Sequence, residues 1–472
     1  MSSITPRRIV LLLAVIQVFQ IALLAQRQPA TTRSNIDWNQ AREETITHLR
    51  NLIKFDTTNP PGNETAAANY LKKVLNEAGI EAEVLESAPG RGNLVARIRG
   101  NGTKRPILLF SHLDVVGVER EQWTVDPFAG VIKDGFLYGR GAADNKGLAA
   151  AELEVMLLLA RSKVKLSRDV IFCSVADEES DAEAGAQWML ANHFDKIDAE
   201  FAFNEGGRIV IKDDKVQFVG LQTTEKRPYN LCLIADGTSA HASVPRPDNA
   251  LFALAAAIEE IRQYEPPVRL NETTRKFFQE IARLESAPHS FYLSHIEDPT
   301  IGPLCAKKVA EDLSFNAVMR DTISPTILRA GIRSNVIPAT AEANLNCRLL
   351  PDTDIEAFVA EIKRVIDNDK IRIVYNKSSR PRAPVSSHET DAFKTAARVV
   401  ETFYPGVPTI PIMGTGATDS AFLRERGIQS YGISPFPERQ SSHAHGNDER
   451  LSIEGIGRGV QLLYNIVVEL AK

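Results

Sequence analysis

The sequence predicts an α/β protein in which a mixed, largely parallel sheet is flanked by helices and a smaller α+β domain is inserted into the chain of the larger one. Two observations lead to this fold class. Helical and strand-like segments alternate from Trp38 onward, which is typical of parallel strands joined by helices. The pattern changes after Gly220 and returns near residue 385, so the larger domain is expected to be discontinuous.

The first part of the larger domain is expected at residues 36–222. The segments NQAREETITHLRNLIKF and AAANYLKKVLNEAG carry apolar residues at helical spacing, whereas NLVARIRG, PILLFSHLD and DVIFCSVADEE have the composition of strands. The last two strands are apolar without alternation, which predicts that both of their faces are buried.

The inserted domain is expected at residues 223–384. Its strands are RPYNLCLIADG, ATAEANLNCRLL and KIRIVYN, its helix is NALFALAAAIEEIRQY, and an irregular insertion is predicted from about residue 270 to 330. The basic, Pro- and Ser-rich stretch NKSSRPRAPVSS favours a linker. The larger domain is then expected to resume at residues 385–472, with a closing helix from about Leu451.

Residues 1–35 have the pattern of an export signal or membrane anchor followed by a linker. Arg7 and Arg8 precede an apolar stretch at 9–25, and polar residues follow it. The stretch is short for a bilayer core, which needs about 20 residues, so cleavage and retention as an anchor are both open. A buried N-terminal helix is the alternative. Either form of export places the chain in a periplasm, in the extracellular space or on the outer face of a membrane.

The overall charge argues against a nucleic-acid partner. The chain has 55 basic and 60 acidic residues and a formal net charge of -5, and its basic residues form no stripe. Its hydrophobic content of 43% is that of compact soluble domains. The four cysteines show no close pairing, and we interpret them as structural thiols.

Polar clusters interrupt the larger domain where strands end. They are HLD at 112–114, GRGAADNKG at 139–147, ADEES at 176–180 and FNEGG at 203–207, with HAHGNDER at 443–450 as a fifth. Functional groups of open α/β sheets gather beyond the carboxyl ends of the strands, so we expect these clusters to converge. Histidines and carboxylates together favour zinc or a similar divalent ion, and a carboxylate-rich set suits two metals.

Each cluster also has an ordinary interpretation. A single histidine or aspartate in such a position is usually a hydrogen-bonded loop residue. The stretch GRGAADNKG fails as a phosphate-binding loop because Lys146 precedes its glycine, and it lacks the third glycine of a dinucleotide-binding motif. Glu178 and Glu179 are neighbours on an extended segment and point in opposite directions, so one can bind metal while the other takes a proton.

The five motifs in this order resemble the M20 family of metallopeptidases and amidohydrolases, from about residue 40 to the C-terminus. The resemblance implies that His112 and Glu205 hold one metal, that Glu179 and His445 hold the other, and that Asp144 bridges both. It also implies that Glu178 is the general base. Asp114 would orient His112 by accepting its second ring N–H.

The resemblance assigns further residues to the substrate. His241, in DGTSAHASVP, matches a histidine that reaches the active site of a partner subunit and supports the developing oxyanion. Asn335 and Arg348 match positions that hold the substrate's carboxylate, although Arg348 could instead pair locally at the sheet edge. The loop GTGATDS, with Gly414, Thr415 and Asp419, resembles the family's substrate-side loop.

The function implied by the resemblance is hydrolysis of an amide bond with two divalent metal ions, foremost zinc. Short peptides with a free carboxylate are the first expected substrates, in a carboxypeptidase or dipeptidase type of reaction, and N-acyl amino acids are the alternative. A non-catalytic metal-binding protein is the interpretation from another class, and the presence of every ligand and of the base argues against it. A homodimer through the inserted domain is implied as well, although the long insertion departs from the compact lids of many relatives.

Overall fold

Residues 36–376 and 380–472 are described by a computed structural model of the protein. The segment interpreted as a signal or anchor, residues 1–35, lies outside this part of the chain. None of the helices in the described ranges has the length and apolar character needed to cross a membrane.

The first half of the described chain alternates helices and strands, as the sequence predicts. Its elements are α1 (Trp38–Ile53), α2 (Thr65–Glu77), β1 (Ala82–Glu86), β2 (Gly92–Ile98), β3 (Ile107–His112), β4 (Val131–Lys133), β5 (Phe136–Tyr138), α3 (Lys146–Ser162), β6 (Val170–Val175), α4 (Ala186–Asn192), α5 (Phe194–Ile197), β7 (Phe201–Asn204), β8 (Arg208–Lys212) and β9 (Lys215–Glu225). A single 3₁₀ turn, Arg120–Gln122, lies between β3 and β4.

The middle of the chain combines a second set of strands with helices. Its elements are β10 (Arg227–Asp236), β11 (Ala240–His241), α6 (Ala250–Gln263), α7 (Glu272–Leu284), α8 (His289–Ser294), α9 (Gly302–Val309), α10 (Leu313–Met319), β12 (Thr322–Ala330), β13 (Val336–Ile337), β14 (Thr340–Leu349), α11 (Ile355–Ile366) and β15 (Ile371–Tyr375). The last part of the chain contains α12 (Asp391–Phe403), β16 (Thr409–Gly414), α13 (Ser420–Glu425), β17 (Gln429–Gly432), β18 (Arg450–Ser452) and α14 (Ile453–Ala471).

A nine-stranded mixed sheet is the centre of the larger domain. Its strand order is β1-β2-β6-β3-β7-β17-β9-β16, and β8 pairs with β9. The strands β6, β3, β7 and β17 run parallel to one another, as do β9 and β16. Antiparallel pairs involve β1, β2 and β8, and β17 meets β9 at one antiparallel contact. The C-terminal strands β16 and β17 therefore complete a sheet begun by the first half of the chain.

Helices cover both faces of this sheet, which explains why its central strands are apolar throughout. Every residue of β3 and of β6 is buried. On one face, Leu108, Phe110 and Cys173 pack against residues of α4 and α13. On the other face, α3 packs against β3 and is enclosed by α1 and α14. Strands buried on both faces lose the alternation of apolar and polar residues that marks half-exposed strands.

The inserted domain has its own sheet and core. Strands β12, β14, β10 and β15 form a four-stranded antiparallel sheet in that order. Helices α6 and α11 cover one face of it, and the core there includes Leu231, Leu233, Leu345 and Ile362. This is the α+β architecture that the sequence predicts for the insertion, and we call it the lid.

The stretch from about residue 270 to 330, which the sequence suggested was irregular, contains four helices. Helix α7 begins with a capping box in which Asn271 and Thr274 bond each other's backbone. The apolar residues of these helices, Phe277 and Phe278 among them, pack against Phe218 of β9 and Ile412 of β16. The helices α7–α10 therefore lie on strands of the nine-stranded sheet, beside the edge that carries the polar motifs.

Candidate active site

The predicted metal ligands come from neighbouring strand ends. His112 is the last residue of β3, Glu205 follows β7 directly, and Glu179 lies in the turn after β6. These three strands are adjacent and parallel, so their carboxyl ends meet at one edge of the sheet. Asp144 stands just before α3, and His445 reaches the same edge from the loop that precedes β18.

The structure brings these five residues together as two clusters that share Asp144. One contains His112, Asp144 and Glu205, and the other contains Asp144, Glu179 and His445, with ligand atoms within 4.8 Å of one another. The Nε2 atom of His112 lies 3.2 Å from Oδ1 of Asp144 and 3.5 Å from Oε2 of Glu205. The Nε2 atom of His445 lies 3.0 Å from Oδ2 of Asp144 and 2.9 Å from Oε1 of Glu179. Each oxygen of Asp144 thus faces a different cluster.

The electrostatics of the clusters fit a pair of divalent cations. Three carboxylates and two imidazoles converge in a largely buried place, and burial together with Asp144 raises the pKa of Glu205 to about 7. Hydrogen bonds to Asp144 and Glu179 raise the pKa of His445 to about 10. Carboxylates crowded in this way repel one another and need nearby positive charge to stay ionised, which is expected of a cation site. Imidazole together with carboxylate is a donor set for zinc-like ions.

Asp114 supports both His112 and the glutamate pair. Its Oδ1 lies 3.3 Å from Nδ1 of His112, and the backbone carbonyl of Asp114 lies 3.1 Å from the same nitrogen. Its two carboxylate oxygens also accept the backbone N–H groups of Glu178 and Glu179, at 3.0 Å each. The predicted orienting contact is therefore present, together with a second role in fixing the turn after β6.

Glu178 stands beside the metal clusters without belonging to either. It is buried, and burial followed by repulsion from Glu205 raises the pKa of its carboxyl well above the ordinary value. Its Oε1 accepts a hydrogen bond of 2.8 Å from Arg380. A carboxylate next to the ligands but outside the ligand set is the arrangement needed for a proton-transfer group.

A buried ion pair links two parts of the site that are far apart in the sequence, and it was not among the predicted site contacts. Arg140 donates to Oε2 of Glu449 at 2.7 Å, and both side chains are buried. Glu449 also accepts the backbone N–H groups of Gly141, Ala143 and Asp144 at 2.8–3.0 Å. Arg140 in turn donates to the carbonyl of His445 at 3.3 Å. The two residues lie inside the motifs GRGAADNKG and HAHGNDER, but their pairing across the chain has no local sequence signal.

A second supporting network lies behind Asp114. Asn59 donates to Asp114 and to Asp177 at 2.9 Å each. Arg91 pairs with Asp177 at 2.7 Å and with the buried Glu64 at 3.2 Å. These residues hold the turn that carries the glutamate pair, and sequence analysis gave them no role.

A cleft of about 950 Å³ opens over the clusters and contains some of the predicted substrate residues. Arg348, Gly414 and Thr415 line it, together with Asp144, Glu178, Glu179, Glu205 and His445. Asp419 instead lies buried behind the loop, where its Oδ1 accepts a hydrogen bond of 3.0 Å from Arg380. Its predicted contact with substrate therefore has no counterpart in the cleft wall.

Two of the three predicted lid residues lie apart from this cleft, whereas Arg348 of β14 lines it. His241 is on the short strand β11, exposed, with Nδ1 2.7 Å from the hydroxyl of Ser243. The carbonyl of Asn335 accepts the backbone N–H of Ala242 at 3.0 Å, which places Asn335 beside His241. Among the described residues, those that line the cleft include neither His241 nor Asn335.

Comparison with known proteins identifies the family of this site. A family profile described as Peptidase family M20/M25/M40 matches residues 108–469. The N-fatty-acyl-amino acid synthase/hydrolase PM20D1 of Homo sapiens is 28% identical over 89% of this chain and 86% of its own length. The probable carboxypeptidase S-like 2 of Dictyostelium discoideum is 29% identical over 78% of this chain and 72% of its own.

Solved structures share the fold. The M20 family metallo-carboxypeptidase Sso-CP2 from Sulfolobus solfataricus has a TM-score of 0.68, at 19% identity, covering 91% of this chain and 99% of that chain. The profile match spans most of the sequence and includes all five of the residues that form the two clusters. The chain therefore belongs to the peptidase family M20/M25/M40 and is a hydrolase of that family.

Proposed function

We propose that the protein hydrolyses the amide bond of N-acyl amino acids whose acyl group is apolar. The observation that carries this proposal is the composition of the cleft, which joins the metal clusters to an apolar wall and to a polar lobe that contains the Arg348 guanidinium. The sequence alone favoured short peptides as first substrates. The apolar wall moves N-acyl amino acids to first place, and peptides with a free carboxylate become the second candidate.

The apolar wall is built by α10, in the stretch that the sequence predicts to be irregular, together with β16. Leu313, Ala317 and Val318 of α10 line the cleft together with Ile412 and Met413 of β16. Leu313 is 81% exposed, so the described residues leave most of its side chain uncovered. A wall of this kind favours binding of a substrate with an apolar group, because binding removes that group from water.

Lys226 fixes this wall to the sheet. Its Nζ donates to the carbonyls of Ala317 and Arg320 at 2.9 Å each and lies 3.0 Å from the hydroxyl of Thr322. These contacts hold the end of α10 against the last residues of β9. The position of the wall relative to the metal clusters is therefore set by the fold.

The polar lobe suits the amino-acid half of the substrate. It has a volume of about 410 Å³ and is lined by Arg348, Arg380, Asn230 and Asn376 besides the glutamate pair. Arg348 lines both lobes, and its only hydrogen bond described is a local one of 3.2 Å to Asn346. A guanidinium in this position can bind a free carboxylate through two parallel hydrogen bonds.

The site residues divide the work of the reaction. His112 and Glu205 would hold one divalent ion, Glu179 and His445 the other, and Asp144 both; zinc fits this donor set. The chemistry that such ions supply when bound is polarisation of the amide carbonyl and a lower pKa for the attacking water. Glu178 would take a proton from the attacking water as the water oxygen bonds to the carbonyl carbon, and would return it to the nitrogen as the C–N bond breaks. The products are a carboxylic acid and an amino acid with a free amine.

A substrate panel with a wall variant tests the proposal. The purified protein, loaded with zinc, manganese or cobalt, is assayed on acetylated and long-chain acylated forms of one amino acid and on dipeptides. Leu313→Asp should lower kcat/KM for the long-chain substrate roughly 10- to 100-fold, the equivalent of burying one leucine side chain, and spare the acetylated one. Leu304→Asp is the control, because Leu304 is exposed on α9 outside the cleft. An equal effect of Leu313→Asp on both acyl lengths would contradict the proposal.

We further propose export and a homodimer. The apolar stretch at 9–25 supports export. Three apolar side chains of the lid, Phe252, Leu328 and Ile332, are 64–93% exposed to solvent. A second copy of the chain would cover such residues. His241 would then face the cleft of the other copy. Sedimentation analysis tests the dimer, and Leu328→Glu should shift a dimer toward monomer.

A further inference from the structure

Arg380 is a buried arginine that contacts the general-base candidate at two points. Its Nη2 donates to Oε1 of Glu178 at 2.8 Å and to the carbonyl oxygen of the same residue at 2.9 Å. Its Nη1 donates to Oδ1 of Asp419 at 3.0 Å. The guanidinium also lies over the ring of Phe422, 5.1 Å from its centroid. Four contacts with three residues leave this side chain little freedom.

The contact joins two distant parts of the fold. Arg380 lies in the segment that returns from β15 of the lid to α12 of the larger domain, whereas Glu178 lies in the turn after β6. The backbone of that turn is held by Asp114. The turn therefore fixes the backbone of Glu178, and Arg380 fixes the position of its carboxylate.

The two carboxylate oxygens of Glu178 have different hydrogen-bonding environments. Oε1 is bonded by Arg380, and Oε2 has no hydrogen bond to any residue in the described part of the chain. Glu178 lines the main cleft and the polar lobe. A carboxylate anchored through one oxygen presents the other in a defined direction, and a proton acceptor must lie within hydrogen-bond reach of the proton that it removes.

We propose that Arg380 is a positioning residue for Glu178, which it holds by one oxygen so that the other is directed at the attacking water. The planar guanidinium is suited to this task because it reaches the carboxylate, the backbone carbonyl and Asp419 at once. A lysine offers one point of charge and cannot make the same set of bonds. The predicted role of Asp419 changes accordingly: it holds Arg380 from behind.

A rival role for Arg380 is direct binding of the substrate's carboxylate, since the residue also lines the polar lobe. The two roles differ in the kinetic constant that they affect. Loss of a substrate contact raises KM, whereas a misplaced base lowers kcat. Arg348→Ala serves as the comparison for a loss of substrate binding.

Arg380→Lys and Arg380→Ala are the test variants, and Arg382→Ala is the matched control. Arg382 is two residues away, exposed, and bonds only the carbonyl of Asp352 among the described residues. We expect Arg380→Lys to keep its metal content and KM and to lose about 10- to 100-fold in kcat, as a base displaced by about 1 Å would. Added methylguanidinium should restore part of the turnover of Arg380→Ala. Arg382→Ala should behave as the unmodified protein.

The outcomes separate the roles. A folded Arg380→Lys protein with unchanged kcat overturns the proposal, and so does a change confined to KM. If Arg380→Ala does not fold, Arg380→Lys decides alone because it keeps a positive charge in the buried site.

The kinetic readout rests on the proposed amide hydrolysis, so a second measurement is independent of turnover. The loss in Tm caused by Arg380→Lys is compared in the unmodified protein and in Glu178→Gln. Direct contact predicts a clearly smaller loss in the Glu178→Gln background, since the ion pair is already gone there. Equal losses would overturn the positioning role even if the protein hydrolysed none of the panel substrates.

Discussion

Replacing Glu449 by glutamine should weaken both the fold and the metal site. Glu449 is fully buried and accepts four hydrogen bonds, from Arg140 and from the backbone N–H groups of Gly141, Ala143 and Asp144. Glutamine has almost the same shape, but one of its two oxygens is replaced by an NH₂ group that cannot accept. About half of the N–H groups that bond to Glu449 would therefore point at the new NH₂ group, which is itself a donor.

The structure allows an estimate of the loss. Arg140 would keep its charge in a buried place without a charged partner, and breaking a buried ion pair from one side costs about 3–5 kcal/mol. The lost backbone bonds are part of the same network, so we expect about 3–5 kcal/mol in total for the free energy of unfolding. The loop that carries Asp144 loses support, and metal affinity should fall about 10- to 100-fold.

Two measurements test this estimate. Urea unfolding of the metal-free protein gives the change in stability, and titration with zinc against a competing chelator gives the change in affinity. Glu200→Gln is the control, because Glu200 pairs with the buried Arg168 at 2.8 Å at the opposite end of the sheet. It should leave metal affinity unchanged. The reasoning would be refuted by a Glu449→Gln protein that binds zinc as tightly as the unmodified protein.

Three further predictions concern the base, the lid and a buried acid. Glu178→Gln should retain close to two metals per chain by elemental analysis and lose nearly all turnover; substantial residual activity would refute the base assignment. His241→Ala should lower kcat with little change in metal content, since His241 lies outside both clusters, and unaltered turnover would exclude the oxyanion role. Burial followed by repulsion from Asp114 raises the pKa of Glu64 from its ordinary value of 4.5 to about 7. The folded chain therefore binds this proton more tightly than the unfolded chain, and the stabilisation present below pH 4.5 is lost as the pH rises to 7. Glu64→Gln should gain stability relative to the unmodified protein over that interval, by up to roughly 3 kcal/mol in urea unfolding, and a constant difference would contradict this pKa shift.

The convergence of the five candidate ligands could be predicted because it follows from local signals. His112, Glu179 and Glu205 each follow an apolar strand, and parallel strands bring their carboxyl ends to one edge. Asp144 and His445 stood out through their motifs. The structure places all five together.

The supporting residues could not be predicted because their partners are far away in the sequence. Arg140 meets Glu449, and Arg380 meets Glu178, only after the chain has folded. Each of them looks like an ordinary charged loop residue in isolation. The helices α7–α10 were missed for a different reason, since their apolar faces are short and are completed by β9 and β16 of another part of the chain.

The order in which the chain leaves the ribosome limits when the site can form. His112, Asp144 and Glu205 are made before His445 and Glu449, so a nascent chain contains the residues of the first cluster well before those of the second. Protein domains generally fold as units during synthesis, and N-terminal domains fold first. The larger domain cannot complete its fold early, because β16 and β17 complete its sheet and the second cluster needs the loop that carries His445. A message truncated shortly before that loop would therefore yield a chain with one cation site, an unpaired Arg140 and no means of hydrolysis.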